Sequence, residues 1–366
     1  MRFSRVTLTA SLVASIATPF VRSPLRAQTE RRTVSGDRVA IYNLAGKLRV
    51  ESADGSEVVV EITRNGRDAD RLRIEEGAIR GYETVRVLYP ADRIVYSSSG
   101  RNDRTTINVR DDGTWGDNPG TGEGQRRRSS DREGNRVEIA SSGSGLEAYA
   151  DIRVLVPRGQ RIIIHQAVGD ARITMVDADL ALDVSSSTVT AERTRGHLSL
   201  DTGSGSVSVT DAQGDVNLDT GSGSVTVSGI KGESLRMDTG SGSIHGADVD
   251  VTQVKADVGS GGVRLERVRA NQVDVDAGSG ATELELLSPI EHLKVDAGSG
   301  GVTIRLPASQ GADVDIETGS GGIDTDFAVQ VTRFEQQHMV GRIGNGRGRI
   351  RIESGSGQVH LLKGDR

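Results

Sequence analysis

From Ile162 onward the chain alternates apolar and polar residues in short runs that restart every 18 to 21 residues, the interval doubling only before the last. In the run Leu198-Ser199-Leu200-Asp201 the leucines occupy one face of an extended strand and the polar residues the other. Val216-Asn217-Leu218-Asp219, Leu235-Arg236-Met237-Asp238 and Val254-Lys255-Ala256-Asp257 repeat that order. Period-two alternation of this kind predicts strands with one buried face. Each run is followed by Gly-Ser-Gly, beginning at Gly203, Gly221, Gly240, Gly259, Gly278, Gly298, Gly319 and Gly355. A second alternation then starts, as in Val207 and Val209, Val225 and Val227, or Val302 and Ile304, with its inward parity reversed. A reversal of parity across two glycines cannot lie within one straight strand, so Gly-Ser-Gly is a corner.

The pattern predicts an all-β, single-chain parallel β-solenoid (β-helix) with two short strands per 18–21-residue coil. A right-handed winding is expected, because parallel crossovers favour that hand. Two degenerate coils precede the regular ones, with Ile162, Ile164 and Ile173, then Leu180, Leu182 and Val189, giving ten readable coils. At a strand spacing of ~4.8 Å they would form a rod roughly 45 to 50 Å long. Val39, Ile41, Leu44-Ala45-Gly46, Leu48 and Val50 fit the same template. The step from the last inward residue of one coil to the first of the next grows from 7 to 10 residues between Val209 and Val314. That slack places variable loops at the second corner, the first candidate for a binding edge.

The expected organisation is a signal peptide at 1–27, an N-terminal β region at 28–96 that begins the solenoid, a flexible low-complexity insertion at 97–147 and the solenoid repeat domain at 148–366. Arg2 and Arg5 precede an uncharged stretch from Val6 to Val21, and Leu25-Arg26-Ala27 offers a cleavage site before Gln28. This is the layout of a signal peptide. No later stretch approaches a membrane span, so the mature chain is expected to have no transmembrane segment, and the strands lack the aromatic girdles of a membrane barrel. The insertion contains one expected strand, Thr106 to Arg110, the sole tryptophan, Trp115, read as a solvated loop residue, and the triplet Arg126-Arg127-Arg128, read as a solvated run. A second irregular stretch runs from Asp326 to Arg349. Its glycines precede a strand and no helix follows them, which excludes a phosphate-binding loop.

Charge and composition narrow the function classes. Cleavage after Ala27 removes four of the 45 basic residues and leaves 41 against 51 acidic ones, a net charge of −10. Such a rod does not bind nucleic acid as a polyanion. Aromatics make up 3% of residues, too few for a groove built on ring stacking. There is no cysteine, so neither disulfides nor a lipid-anchored cysteine are available.

Catalytic signals are absent from the regular coils. His197 and His292 share a phase five coils apart, His245 and His360 lie further apart still, and with His165 and His338 all six histidines read as surface residues. Gly-Ser-Gly repeats eight times, as a corner does and a nucleophile does not. No catalytic, cofactor-binding or metal-binding residue is therefore assigned, and no cofactor is expected. One polar column remains: Asp183, Asp201, Asp219, Asp238, Asp257, Asp276 and Asp296 share a phase. Neighbouring carboxylates ~4.8 Å apart repel by roughly 1 kcal/mol even in water. Capping of each corner through backbone N–H groups would offset this, and Ca²⁺ coordination is the alternative. Thr202, Thr220 and Thr239 form a partial row that strand parity turns inward, against an ice-binding face. Arg236, Lys255, Asp274, Lys294 and Asp315 place opposite charges on some adjacent coils.

The strand, Gly-Ser-Gly, strand units resemble the bacterial putative-adhesin family of β-strand-repeat domains, a domain of unknown function. The likeness includes the opening segment Ile41-Tyr42-Asn43-Leu44-Ala45-Gly46-Lys47-Leu48-Arg49-Val50, Val154-Leu155-Val156-Pro157-Arg158-Gly159, and Gly341-Arg342-Ile343-Gly344-Asn345-Gly346. It covers roughly Thr33 to Leu362 apart from the insertion. It implies an exported β-solenoid with no catalytic residues to carry over. The expectation is a non-enzymatic, adhesin-like scaffold of the cell envelope, in the periplasm, on the outer surface or outside the cell. Its partner would be an unknown protein or glycan, and the open coil ends allow self-association. A carbohydrate-active β-helix enzyme and a purely structural envelope component are the alternatives.

Overall fold

The computed structural model describes residues 29–97, 104–116 and 134–364. The expected signal peptide and the Arg126-Arg127-Arg128 triplet lie outside the described residues. Successive coils stack in parallel and in register. Arg161–Val168 pairs with Asp179–Ser186, which pairs with Leu198–Ser204 and then Val216–Ser222, placing Leu180 beside Leu198 and Leu198 beside Val216. A second ladder follows the corner: Ala171–Thr174, Val189–Glu192 and Val207–Thr210 lie side by side. The alternation predicted from sequence is the burial observed, since Leu198, Leu200, Val207, Val209, Val216 and Leu218 are all enclosed in one continuous core. Arg38–Ala45 and Leu48–Ser52 form a full coil of the same stack, paired with Arg161–Val168 and Ala171–Thr174.

The glycines at the corner are dictated by the close approach of one coil to the next. A Cβ on Gly261, whose φ is +152°, would lie 1.7 Å from the carbonyl oxygen of Gly242. The residue before each Gly-Ser-Gly closes the corner from inside. The hydroxyls of Thr202, Thr220 and Thr239 are buried and donate to the carbonyls of Ser204 (3.2 Å), Gly205 (3.1 Å) and Gly223 (2.9 Å). Asn43 and Gln166 occupy that row in the first coils and reach Ala45 and Val168 in the same way (3.2 and 2.9 Å). The inward threonine row is therefore a set of corner caps.

To the two strands per coil the structure adds a third, shorter ladder as far as Arg269, which replaces the expected loops on those coils; at 287–291 and 307–311, the two longest steps, the second corner is a loop as expected. Directly after the second strand the chain turns through one residue of left-handed conformation at Met175, Arg193, Asp211, Gly229, Asp248 and Arg267, with φ between 53° and 69°. Val176, Ala212, Ile230, Val249 and Val268 then point into the core. Bridges join Asp177, Arg195, Gln213 and Lys231, widening to Ile230–Gly232 against Val249–Val251. The extra residues counted from sequence extend this side. Five of the six turn residues carry a Cβ in a region that costs L-residues roughly 1–2 kcal/mol. Met175→Gly is expected to raise stability by ~0.5–1 kcal/mol, since its side chain is 51% exposed and loses little packing. Urea midpoints of the two proteins measure this.

The order of coils along the stack departs from the order in sequence at the C-terminal end. Gly348–Ser354, the last long strand, pairs with His292–Ala297 on one side and Ala312–Thr318 on the other. Val359–Lys363 likewise lies between Val302–Leu306 and Ile323–Thr325. The final coil in sequence is thus an interior layer. The ten-residue step from Ile304 to Val314, the longest in the series, leaves room for it. Buried Gln310 spans the skipped layer, accepting from Ile290 N (2.8 Å) and donating to Ile290 O (3.1 Å). The irregular stretch after Asp326 supplies the return path: Val329–Glu335 and His338–Ile343 form a hairpin that runs antiparallel along Ala312–Thr318 and covers that end. The charge ladder is revised accordingly. Asp274 faces Lys294 at 3.9 Å, but Arg351 separates Lys294 from Asp315.

The opposite end finishes in antiparallel strands as well. Tyr149–Val156 continues the second ladder beyond Leu48–Ser52, followed by Val58–Asn65 and Thr29–Val34. Tyr82–Leu88 and Arg73–Ile79 close the first ladder.

Candidate functional site

Arg38–Ala45 and Arg161–Val168 differ from the regular strands in being apolar on both faces. Ala40, Tyr42, Leu44, Ile163 and Ala167 stand at outward positions and are buried nonetheless. A strand covered on both faces reads as a nearly continuous apolar run, and these two do. The cover is a separate three-stranded sheet of Arg93–Val95, Arg104–Val109 and Asn135–Ala140, which contributes Ile94, Tyr96, Val137 and Ile139 to a second core. The strand expected at Thr106 to Arg110 is therefore Arg104–Val109. The described parts of the 97–147 segment, 104–116 and 134–147, are built into the fold, while 98–103 and 117–133 lie outside the described residues.

Where this accessory sheet meets the Gly-Ser-Gly corner it forms a half-open groove of about 690 Å³. Its floor is the corner itself, with Ser186, Thr188, Ser204, Ser206 and Ser222; Arg104 and Thr105 form one wall, and Lys47 and Asp170 stand at the end. The volume falls within the range of small-ligand sites. The groove lies at the first corner, where sequence length is invariant, and not at the second, where it varies.

The aspartate column is assembled as predicted. Asp183, Asp201, Asp219, Asp238, Asp257, Asp276 and Asp296 are register neighbours in that order, on the outer face, and Glu353 follows them. Among the described residues no group of three His, Cys, Asp or Glu side chains could hold a metal ion.

Two members of the column's phase were missed from sequence. His165 lies beside Asp183 and Tyr42 beside His165, so the carboxylate row ends in a buried aromatic pair. His165 is 2% exposed, which corrects its reading as a surface histidine. Its ring stacks on Tyr42, with centroids 4.7 Å apart and planes at 6°, and its Nδ1 lies 3.1 Å from Asp183 Oδ2. Burial raises the Tyr42 phenol above its ordinary pKa despite the opposing charges of Arg80 and Arg110. Trp115 covers His165 edge-on at 5.4 Å and is 4% exposed, so it is a core residue and not a solvated one. The turn that delivers it is fixed by Asp112, whose carboxylate accepts from Thr114 N (2.9 Å) and Thr114 Oγ1 (2.6 Å). Gly116 must pass over the pair, since a Cβ there would lie 2.8 Å from both Asp183 Oδ2 and His165 Nδ1. Because Trp115 is the single tryptophan, native fluorescence reports this contact alone. We expect blue-shifted emission shielded from acrylamide, and a red shift with greater quenching in Tyr42→Ala; solvent-like emission in the unaltered chain would contradict the packing described.

With the repeat, its corners and its register in place, the chain can be set beside known proteins. The Toastrack DUF4097 family model matches residues 143–362. The chain belongs to the Toastrack family. The resemblance carried by the Gly-Ser-Gly units is thereby borne out, and the family is one of unknown function. The match begins after the accessory sheet, although Arg38–Ala45 and Leu48–Ser52 sit in the same stack as the matched coils. No curated protein matches the chain. Among solved structures, one described as a putative cell adhesion protein from Clostridium sporogenes aligns over 93% of this chain and 100% of its own, with 9% identity and a TM-score of 0.20. That likeness is too slight to bear on fold or partner.

Proposed function

We propose that this Toastrack protein is an exported, non-enzymatic scaffold of the bacterial cell envelope that binds another envelope or surface component. The observation that carries this reading is the register. From Asp183 to Asp296 each coil sets a carboxylate at the same outward position, and among the described residues this column runs along the stack without converging into a group of three possible metal ligands. The accessory sheet, packed on its own core, adds a half-open groove to that surface. The predicted signal peptide supports export, and the expected destinations are the periplasm, the outer surface or the medium.

Fractionation of cells expressing the full chain, followed by binding of the purified protein to envelope fractions, tests this. The expected result is cleavage after Ala27, recovery outside the cytoplasm and saturable retention on the envelope fraction. An uncleaved cytoplasmic protein, or one with no retention, would refute it. Loss of viscosity in polysaccharide solutions on addition of the protein would replace it with the β-helix enzyme.

A further inference from the structure

We infer that the first corner is a binding track for a linear, neutral polysaccharide, with the groove under the accessory sheet at one end. This rests on the scaffold reading above and names the ligand class. Two hydroxyl columns flank the corner glycines. On one side Ser186, Ser204, Ser222, Ser241 and Ser260 are register neighbours. On the other, Thr188, Ser206, Ser224 and Ser243 follow one another through backbone bonds such as Val189 N to Ser206 O (3.0 Å) and Val207 N to Ser224 O (3.0 Å). Each column repeats at ~4.8 Å, close to the length of a sugar residue in an extended chain.

In a chain with 26% charged residues, none occurs in 184–191, 202–210 or 220–230. The corner from 184 onward therefore offers hydroxyl and backbone groups, and the charges of the groove, Lys47, Asp170 and Arg104, are confined to its end and wall. A hydroxyl both donates and accepts, which matches the mixed donors and acceptors of a sugar ring. Three residues before the first serine column runs the row Asp183, Asp201 and Asp219, whose charge repels a polyanion. Together with Asp170 the row outnumbers the two cations of the groove, Lys47 and Arg104, and so favours neutral over acidic polysaccharides.

A peptide is disfavoured on the same grounds. The corner N–H groups are already committed between coils, as in Gly205 N to Ser222 O (3.0 Å) and Gly223 N to Ser241 O (3.2 Å), so an added strand finds no open edge. The groove has no stacking platform, because Tyr96 is 2% exposed. Recognition thus comes from many hydrogen bonds, each weak against water. Affinity must then grow with polymer length as the ligand runs from the groove onto the open corner at Ser241 and Ser260.

The full chain should be titrated with β-1,4-linked glucan, mannan and xylan oligomers, which are linear, neutral and extended, each as a series of chain lengths, and with alginate as the acidic counterpart. Two double variants complete the set: Thr188→Arg with Ser206→Arg to fill the groove, and Ser241→Glu with Ser260→Glu on the open track. All four positions face outward, and thermal melting checks that the fold is kept. The expected result is binding of at least one neutral polymer, tightening with length. Filling the groove should weaken it by about tenfold or more, and the open-track variant should lose the length dependence while keeping short oligosaccharides. Failure to bind any of the three neutral polymers, preference for alginate, or unchanged affinity in the groove variant would overturn the inference. If envelope retention persists while neutral polymers are ignored, the ligand class fails and the scaffold reading stands; if both are absent, both fail.

Discussion

Gly261→Ala should lower stability by about 3 kcal/mol or more, whereas Gly322→Ala, with nothing within 4 Å of the added methyl, should change it by less than about 0.5 kcal/mol. The difference isolates the corner. At Gly261 the methyl would meet a backbone oxygen of the preceding coil at 1.7 Å, and because Gly280 approaches Gly261 almost as closely on the next coil, a shift of this corner would be passed to its neighbours. The left-handed φ adds a conformational cost of its own. Only a local change of the corner could relieve the clash. Ser187 shows what such a change requires: it stands at the equivalent position outside the left-handed region, with its hydroxyl donating to the Gly169 carbonyl. Alanine has no hydroxyl to make that bond. Urea denaturation of the two variants, followed by far-ultraviolet circular dichroism, reads the comparison. A Gly261→Ala midpoint equal to that of Gly322→Ala would mean that the coils do not approach as closely as described.

Deletion of residues 348–366 should be more damaging than the loss of an end coil. Because Gly348–Ser354 and Val359–Lys363 lie inside the stack, their removal parts 292–306 from 312–325 and leaves 312–325, with the hairpin at 329–343 that covers it, without a layer joining it to the stack. Ile350, Ile352, Val359 and Leu361 are each fully buried, and emptying such positions costs about 2–5 kcal/mol apiece for the isoleucines and leucine. Hydrogen exchange should show protection lost across 312–343 as well as at the cut, while coils before Val273 keep theirs. If the truncated chain protects 312–325 as the full chain does, the interleaved order is wrong.

Much of this architecture is legible in the residues. The leucine and valine alternation gives the two main ladders, the parity reversal gives the corner, and the shared phase of Asp183 to Asp296 gives the column in its true order. The third ladder is harder to see, because its inward residues are single: Ala212 or Ile230, set among Asp211, Gln213 and Lys231, shows no alternation long enough to count. The left-handed turn before it is invisible for the same reason, since arginine, methionine and aspartate occupy it as well as glycine.

The accessory sheet left a readable trace in Ala40, Tyr42 and Ile163, outward positions too apolar for water. Trp115 gave no such trace, since its burial depends on a turn set by Asp112 and on two strands distant in sequence. The displaced final coil lies beyond any local reading. Nothing in Ile350-Arg351-Ile352 distinguishes a neighbour of Lys294 from a neighbour of Asp315, and only the long step before Val314 hints at the gap. The groove likewise exists only because sheet and corner meet, so the sequence pointed to the looser second corner instead.

Disulfide trapping tests the stack and its order together, because the chain has no cysteine of its own. In-register neighbours on adjacent coils are separated by ~4.8 Å, within the Cα range that a disulfide spans, and positions two coils apart are not. Three double variants are compared under mild oxidation: Lys294→Cys with Arg351→Cys, Asp315→Cys with Arg351→Cys, and Lys294→Cys with Asp315→Cys. Register places Arg351 beside both Lys294 and Asp315. The first two pairs should cross-link and the third should not; a disulfide in the third pair, with none in the others, would contradict the account.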